Sequence, residues 1–351
     1  MHKNKYILSV ITNMNYNELR YEQLPWTEKY RPRDPSDLIL PKYLKKKVQM
    51  FVDNKNIPNI VLTGPSGIGK TSTIRCIARS LYGPYAKHAV LELNASDDRG
   101  IKTIQDTIVN FCRTSLIFNE EDKNKYCTKK LIILDEADNM VDRSQPQINN
   151  TMEFYKDSVI FAFTCNSSSN INEAIQSKCC ILQYTRADKS QIVQKLNYIA
   201  DKESIKYDAG TTEKIADICR GDMRSAINIL HMLCIKEKRL TTGIVDEYCD
   251  LPQQITICKI FNSVIKNDLK KALNYIFELK NNGYTGSDIV MNMFHTIKSD
   301  MCNDIDEKYK IPICKAICSS AYNISKSVDS ILQLTACVTE MISNLSSIKK
   351  N

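Results

Sequence analysis

The sequence predicts an α/β protein built on a parallel sheet, continued by a small helical module and an all-α C-terminal region. Three observations carry this. Short apolar runs alternate with helical periodicity from Leu24 to Tyr184. A glycine-rich turn stands between a strand pattern and a helix pattern near the start of that stretch. Beyond Arg186 the strand signals stop and only helical periodicity continues.

In chain order, residues 1–23 are polar and rich in Asn and Tyr, and read as a loose extension. Ile60–Thr63, 89–93, 130–134 and Val159–Cys165 read as buried strands bounded by turn residues. Helical patterns fall between them, the alternation that a parallel sheet with helical crossovers requires. Residues 118–130 (FNEEDKNKYCTKK) read as a charged surface loop. Residues 190–202, 211–220 and 222–234 read as helices of a small module. Asp250-Leu251-Pro252 marks a boundary, because proline disfavours helix in the residue before it. Five amphipathic helices are expected at 254–265, 268–280, 285–299, 309–322 and 326–345; in the third, Ile289, Val290, Met293 and Ile297 recur at helical spacing.

Composition narrows the classes of function. The 351 residues are 43% apolar and 25% charged, as in ordinary globular domains. Lys and Arg number 48 against 40 Asp and Glu, and the net charge of +8 fits a polyanionic partner, although many ordinary soluble proteins are as basic. The fourteen cysteines are scattered, without a C-x-x-C pair or zinc-finger spacing, and read as buried reduced thiols. The N-terminal apolar run spans only residues 6–12, and nothing approaches the ~18 consecutive apolar residues of a membrane span. Secretion, membrane insertion and a disulfide scaffold are therefore not expected.

The chemistry lies in two motifs. Gly64-Pro65-Ser66-Gly67-Ile68-Gly69-Lys70-Thr71 fits G-x-x-x-x-G-K-[ST], and three of the ten glycines in the chain fall within it. Such a loop turns backbone amides toward phosphates, which demands φ/ψ values that glycine tolerates. A strand precedes it and a helix over 71–81 follows, whose N-terminus adds positive potential. In this pattern Lys70 meets the β- and γ-phosphates and Thr71 holds Mg²⁺. The second motif is Leu131-Ile132-Ile133-Leu134-Asp135-Glu136-Ala137-Asp138, an apolar strand that ends in acids. It puts Asp135 on the metal and Glu136 where a general base can polarise water. Together the motifs predict ATP hydrolysis. Asn166 follows another strand; it can bind the attacking water or the γ-phosphate, and it is equally an ordinary strand-ending residue. Arg224, in Gly221-Asp222-Met223-Arg224, opens a helix, from which a guanidinium can reach a phosphate or simply face solvent.

In order along the chain these motifs stand with Leu24-Pro25-Trp26-Thr27-Glu28-Lys29-Tyr30-Arg31-Pro32 and with Leu91-Glu92-Leu93-Asn94-Ala95-Ser96-Asp97-Asp98-Arg99-Gly100-Ile101. The set resembles the small subunits of eukaryotic replication factor C, the sliding-clamp loader, and most of all the small subunit beside the large one. The resemblance is dense from Leu24 to Cys234 and traceable to the C-terminus. It implies an AAA+ P-loop domain with a parallel sheet over 24–186, a helical lid over 187–250 and an all-α collar over 251–351. It also implies a nuclear heteropentamer that uses ATP and Mg²⁺ to open the clamp PCNA and load it on primer–template DNA, with no membrane partner. Residue by residue, Thr27, Arg31 and Ile39 match the family's N-terminal nucleotide contacts, Gly64 to Ser72 its phosphate loop, Asn166 its first sensor and Arg224 its second. Arg99 and Lys102 match a helix start that follows a DNA backbone, although a solvated charged helix start would look the same.

Two features depart from the family pattern. Small subunits carry Ser-Arg-Cys, whose arginine enters the neighbouring subunit's site, whereas here the triplet is Ser177-Lys178-Cys179. Lysine keeps the charge and loses the planar fork. A paired arginine before Thr-Met-Glu is replaced by Asn149-Asn150, ahead of Thr151-Met152-Glu153. The expected function is thus an ATPase subunit of a clamp loader. The alternative is a mainly structural ring subunit that binds ATP and seldom hydrolyses it. A free-standing small-molecule kinase fits poorly, because the amphipathic C-terminal helices offer no acceptor-binding chemistry.

Overall fold

The structure is a computed structural model that describes residues 24–95, 101–116, 119, 122, 125–237, 239–249, 254–298, 302, 305–326 and 329–349, with the side chains of 101–105, 246 and 347–349 outside that description. Two compact units emerge, Met1–Val245 and Asp246–Asn351. The expected extension (1–23) and the Asp250-Leu251-Pro252 boundary lie outside the described residues.

Five parallel strands organise the first unit: β1 (Ile60–Thr63), β2 (Val90–Asn94), β3 (Lys130–Asp135), β4 (Val159–Cys165) and β5 (Cys180–Gln183). Their spatial order is β2-β3-β4-β1-β5, which puts β1 and β4 side by side inside the sheet with Ile60 opposite Ala162 and Thr63 opposite Cys165. Successive side chains of a strand point to opposite faces, and here both faces are covered. Ile60, Leu62, Leu131, Ile133 and Ile160 pack against α1 (Lys42–Asp53) and α2 (Lys70–Tyr82). Val61, Ile132, Leu134, Phe161 and Phe163 pack against α3 (Ile101–Arg113) and α4 (Gln145–Phe154). A sheet buried on both sides needs unbroken apolar runs, which is why β1, β3 and β4 are legible in the sequence.

Three longer helices follow the sheet in this unit: α5 (Lys189–Lys202), α6 (Thr211–Cys219) and α7 (Met223–Lys236). Asp188 and Gln191 form a capping box that opens α5, and Asp222 caps α7 by accepting from the Ser225 amide at 3.0 Å. Ile192, Leu196, Ile199, Ile215 and Leu230 are buried between them.

Several expectations need correction. β5 escaped the sequence reading because it is a four-residue edge strand with only Leu182 buried, too little for an apolar run. Strands do occur after Arg186: Lys206–Tyr207 pairs in parallel with Arg239–Leu240. Two residues each are too short to produce alternation. Lys130, read as the end of a charged surface loop, is 4% exposed. Its ammonium caps the C-terminus of α3, donating to the Phe111 carbonyl and the Thr114 hydroxyl, each at 2.5 Å.

The second unit, described by itself, consists of α8 (Gln254–Ile265), α9 (Leu269–Asn281), α10 (Gly286–Ile297), α11 (Glu307–Lys326) and α12 (Ile331–Lys349). The five expected helices are all present. Asp268 and Thr285 cap α9 and α10, with acceptor distances of 3.1 Å each. One apolar core, including Ile257, Phe261, Ile276, Met293, Ile317 and Val338, joins all five helices. Among the described residues no helix is long and apolar enough to cross a membrane, and no disulfide is present.

Candidate nucleotide-binding site

The site lies at the carboxyl edge of the sheet, where β1 runs into the loop 64–69 and then α2. Gly67 and Gly69 have φ of +72° and +90°, left-handed values that side chains resist. At Gly67 there is a second constraint, because a Cβ would strike the Asp222 carboxylate at the start of α7. Ile68 is buried in the sheet core and anchors the loop from below. The first amides of α2 therefore face the cavity at a helix N-terminus.

Lys70 sits where loop, sheet and cavity meet. Its Nζ donates to the Gly64 carbonyl at 2.5 Å, the Pro65 carbonyl at 2.7 Å and Asn166 Oδ1 at 3.1 Å. Burial pulls its pKa below the ordinary lysine range, while Cys165, Asp138 and Asp135 act in the opposite sense. Thr71 Oγ1 donates to Asp135 across the site, 3.1 Å from each carboxylate oxygen. The Thr164 hydroxyl also donates to Asp135. A hydroxyl beside a carboxylate suits Mg²⁺, which takes one or two protein oxygens and fills its remaining positions with water and phosphate. No group of three or more His, Cys, Asp or Glu that could form a denser metal cage occurs among the described residues.

Glu136 follows with φ +54°, an unusual left-handed conformation outside glycine. That kink ends the strand direction and leaves the Glu136 side chain exposed at the cavity, where Oε2 accepts from Asn139 at 3.3 Å. Asn166 follows β4, and its backbone N–H donates to Asp138 Oδ2 at 3.1 Å. The other Asp138 oxygen is buried without a hydrogen-bond partner. Nothing local in the motif marks Asp138 for a role; its bond with the Asn166 backbone makes it a residue that positions Asn166, beside Lys70.

Of the predicted ligand residues, Thr27, Arg31, Ile39, Ser66, Gly67, Ile68, Gly69, Lys70, Thr71, Ser72, Asp135, Glu136, Asn166 and Arg224 line one cavity. Gly64 and Pro65 lie just behind it and offer carbonyls to Lys70. Arg31 Nε donates to Ser72 Oγ at 3.1 Å, which ties the N-terminal segment to the first turn of α2. Tyr30, Lys195, Met223 and Ile227 also line the cavity and went unread. Tyr30 lies in a turn and the other three on helices, and local spacing says nothing of which groove such residues border.

Lys178 does not line this cavity. Its Nζ donates to Asn149 Oδ1 at 2.6 Å and forms an ion pair with Glu153, both on α4. The hydrogen bond from Lys178 holds the Glu153 carboxyl below the usual carboxylate range. The two departures noted in the sequence thus touch each other. Arg99 lies outside the described residues, and Lys102 falls in α3 with its side chain outside them.

A parallel sheet with a glycine-rich loop, a Thr–Asp pair and a following acid at its carboxyl edge defines a P-loop ATPase. The chain matches the ATPase family associated with various cellular activities (AAA) over residues 60–186 and the replication factor C C-terminal domain over residues 252–340. It is 33% identical to replication factor C subunit 4 of Schizosaccharomyces pombe, covering 93% of this chain and 92% of that protein. It is 34% identical to the replication factor C small subunit of Sulfurisphaera tokodaii, covering 91% of this chain and 95% of the relative. Among solved structures, the Thermotoga maritima RuvB Holliday junction branch migration motor shares the fold with a TM-score of 0.51 and 18% identity, over 67% of this chain and 79% of that one. The chain belongs to the replication factor C small-subunit family and is an AAA ATPase subunit of a multi-subunit clamp loader. A mainly structural subunit that seldom hydrolyses ATP is not favoured by this kinship.

Proposed function

We propose that this chain binds ATP with Mg²⁺ in the cavity beside α2 and hydrolyses it within a nuclear heteropentamer, next to the large subunit. That assembly opens PCNA and places it on primer–template DNA. The supporting observation is the convergence on one cavity of segments remote in sequence: Thr27 and Arg31, the loop, Asp135 with Glu136, Asn166, and Arg224.

In this reading the loop amides and the Lys70 ammonium hold the β- and γ-phosphates. Thr71 and Asp135 would hold Mg²⁺, which would supply positive charge against the phosphates. Glu136 takes the proton of the attacking water, and Asn166, set by Asp138, orients that water or the γ-phosphate. Arg224 belongs to a lid over 187–250, so its contact with phosphate makes the lid angle depend on nucleotide state. Residues 251–351 act as the collar that joins the subunits. Arg99 and Lys102 follow the DNA backbone through phosphate contacts that carry no sequence information. Lys178 acts on the neighbouring subunit's site as a weakened substitute for arginine.

Single-turnover hydrolysis in the assembled complex tests the ATPase role. Glu136→Gln should slow the step by about 10²-fold or more while ATP still binds, as expected when a general base is lost. A wild-type rate in that variant would remove Glu136 from the mechanism. The native composition of the complex purified through this chain tests the assembly. One copy beside four related ATPase subunits is expected, and a monomer or homo-oligomer would overturn the collar assignment.

A further inference from the structure

One set of contacts has no part in the mechanism above. The Trp26 indole, 8% exposed, stacks on the His231 imidazole of α7, with ring centroids 4.5 Å apart and planes within 19°. A few residues on, Lys29 Nζ donates to Glu203 Oε1 at 2.6 Å, and the Tyr30 hydroxyl donates to the same oxygen. Glu203 is the residue that ends α5. Tyr30 also meets Tyr198 of α5 edge-on, at 6.5 Å between centroids. The same short segment also borders the nucleotide cavity, through Thr27, Tyr30 and Arg31 and through the bond from Arg31 to Ser72.

The geometry points to Glu203 as a positioning residue for nucleotide binding: through Lys29 and Tyr30 it fastens the lid to the cavity wall formed by Thr27 and Arg31. The inference rests on the reading of that cavity as the ATP site. Two attachments, on α5 and on α7, allow no free pivot about a single contact. A carboxylate oxygen that receives an ammonium and a hydroxyl forms charge-assisted bonds, the stronger kind. The Lys29 and Glu203 side chains are only 16% and 21% exposed, so solvent screens the pair less than a surface pair. When the lid turns toward bound phosphate it must carry the Trp26–Arg31 segment along or break both attachments. Binding at Arg224 and binding at Thr27 and Arg31 are then one event. A coupling of this kind changes affinity by about five- to 150-fold.

The chain contains a single tryptophan, and it is Trp26. Emission of the full-length chain, excited at the red edge of the absorption band where its 17 tyrosines do not absorb, therefore reports the surroundings of Trp26 alone. Binding of ³⁵S-labelled ATPγS is measured in parallel by equilibrium dialysis. In the wild type, saturation should shift the Trp26 emission. Glu203→Gln should raise the Kd about fivefold or more and remove most of the emission shift, and Glu203→Asp should recover part of both. If Glu203→Gln does not fold, Tyr30→Phe, which deletes one donor and leaves the ion pair, should show the same losses at smaller size. A Glu203→Gln chain with wild-type Kd and a wild-type shift overturns the proposal. So does a wild-type chain that binds ATPγS without any change in Trp26 emission. Failure of the wild type to bind labelled ATPγS is a different result, which removes the nucleotide reading and the coupling with it.

Discussion

At Gly67, backbone conformation and packing impose the same residue. Its φ of +72° and the nearby Asp222 carboxylate both exclude a Cβ. Left-handed backbone costs an alanine about 1–2 kcal/mol before any clash, so Gly67→Ala should weaken ATP binding by about tenfold or more, read by equilibrium dialysis. Lys178 is the opposite case, a residue whose environment matters more than its type. Asn149 and Glu153 hold its ammonium against α4, and a lysine so held contributes a point charge where the family places a fork. If it serves the neighbouring site, Lys178→Arg should raise ATP turnover of the assembled complex by about tenfold, a small part of what an arginine finger can supply. Unchanged turnover would take Lys178 out of the trans site.

Among the elements, α7 has the most to do, because its first turn carries both the cap and the cavity-lining Arg224. Asp222→Ala removes the bond to the Ser225 amide and should cost about 1 kcal/mol of stability, seen in thermal melts. It should also raise the KM for ATP, because the start of α7 positions Arg224. The pair that closes α5 carries a pH signature. Burial pushes the Glu203 carboxyl up, but the bonds from Lys29 and Tyr30 outweigh it and leave the group below its ordinary value of 4.5. A carboxyl lowered in the folded state adds stability above its unfolded value and loses it as pH falls through its folded value. Melting temperature from about pH 7 down to about pH 3 should fall more steeply in the wild type than in Glu203→Gln, with the two curves converging in acid. Parallel curves would mean that Glu203 is ionised equally in both states.

At the scale of the whole molecule, two compact units divide the chain near Val245. The cavity and its lining residues belong to the first, and the second has a core of its own. A chain ended after Val245 should still bind ATP with affinity close to that of the full chain, yet fail to enter the complex in co-purification. Entry of the shortened chain would refute the collar role proposed for the second unit. Most of this plan was legible in sequence. The apolar runs of β1, β3 and β4 and the amphipathic periods of α8 to α12 are local patterns, set by which face each residue must bury. The loop was legible for the same reason: its glycines answer a backbone requirement confined to a few residues.

What the sequence by itself determined is therefore the parallel-sheet ATPase domain, the phosphate loop with its Asp135–Glu136 partner, and the succession of helices that follows. What only the tertiary structure decided is which charged and aromatic groups meet. Lys130 turned out to be a buried cap rather than a surface charge. Lys178 and Asn149 are 29 residues apart in sequence and in direct contact. Lys29 reaches Glu203 across 174 residues, and Trp26 covers His231. Periodicity records a residue's burial against its own element, whereas such pairs depend on how separate elements pack, which no local pattern encodes.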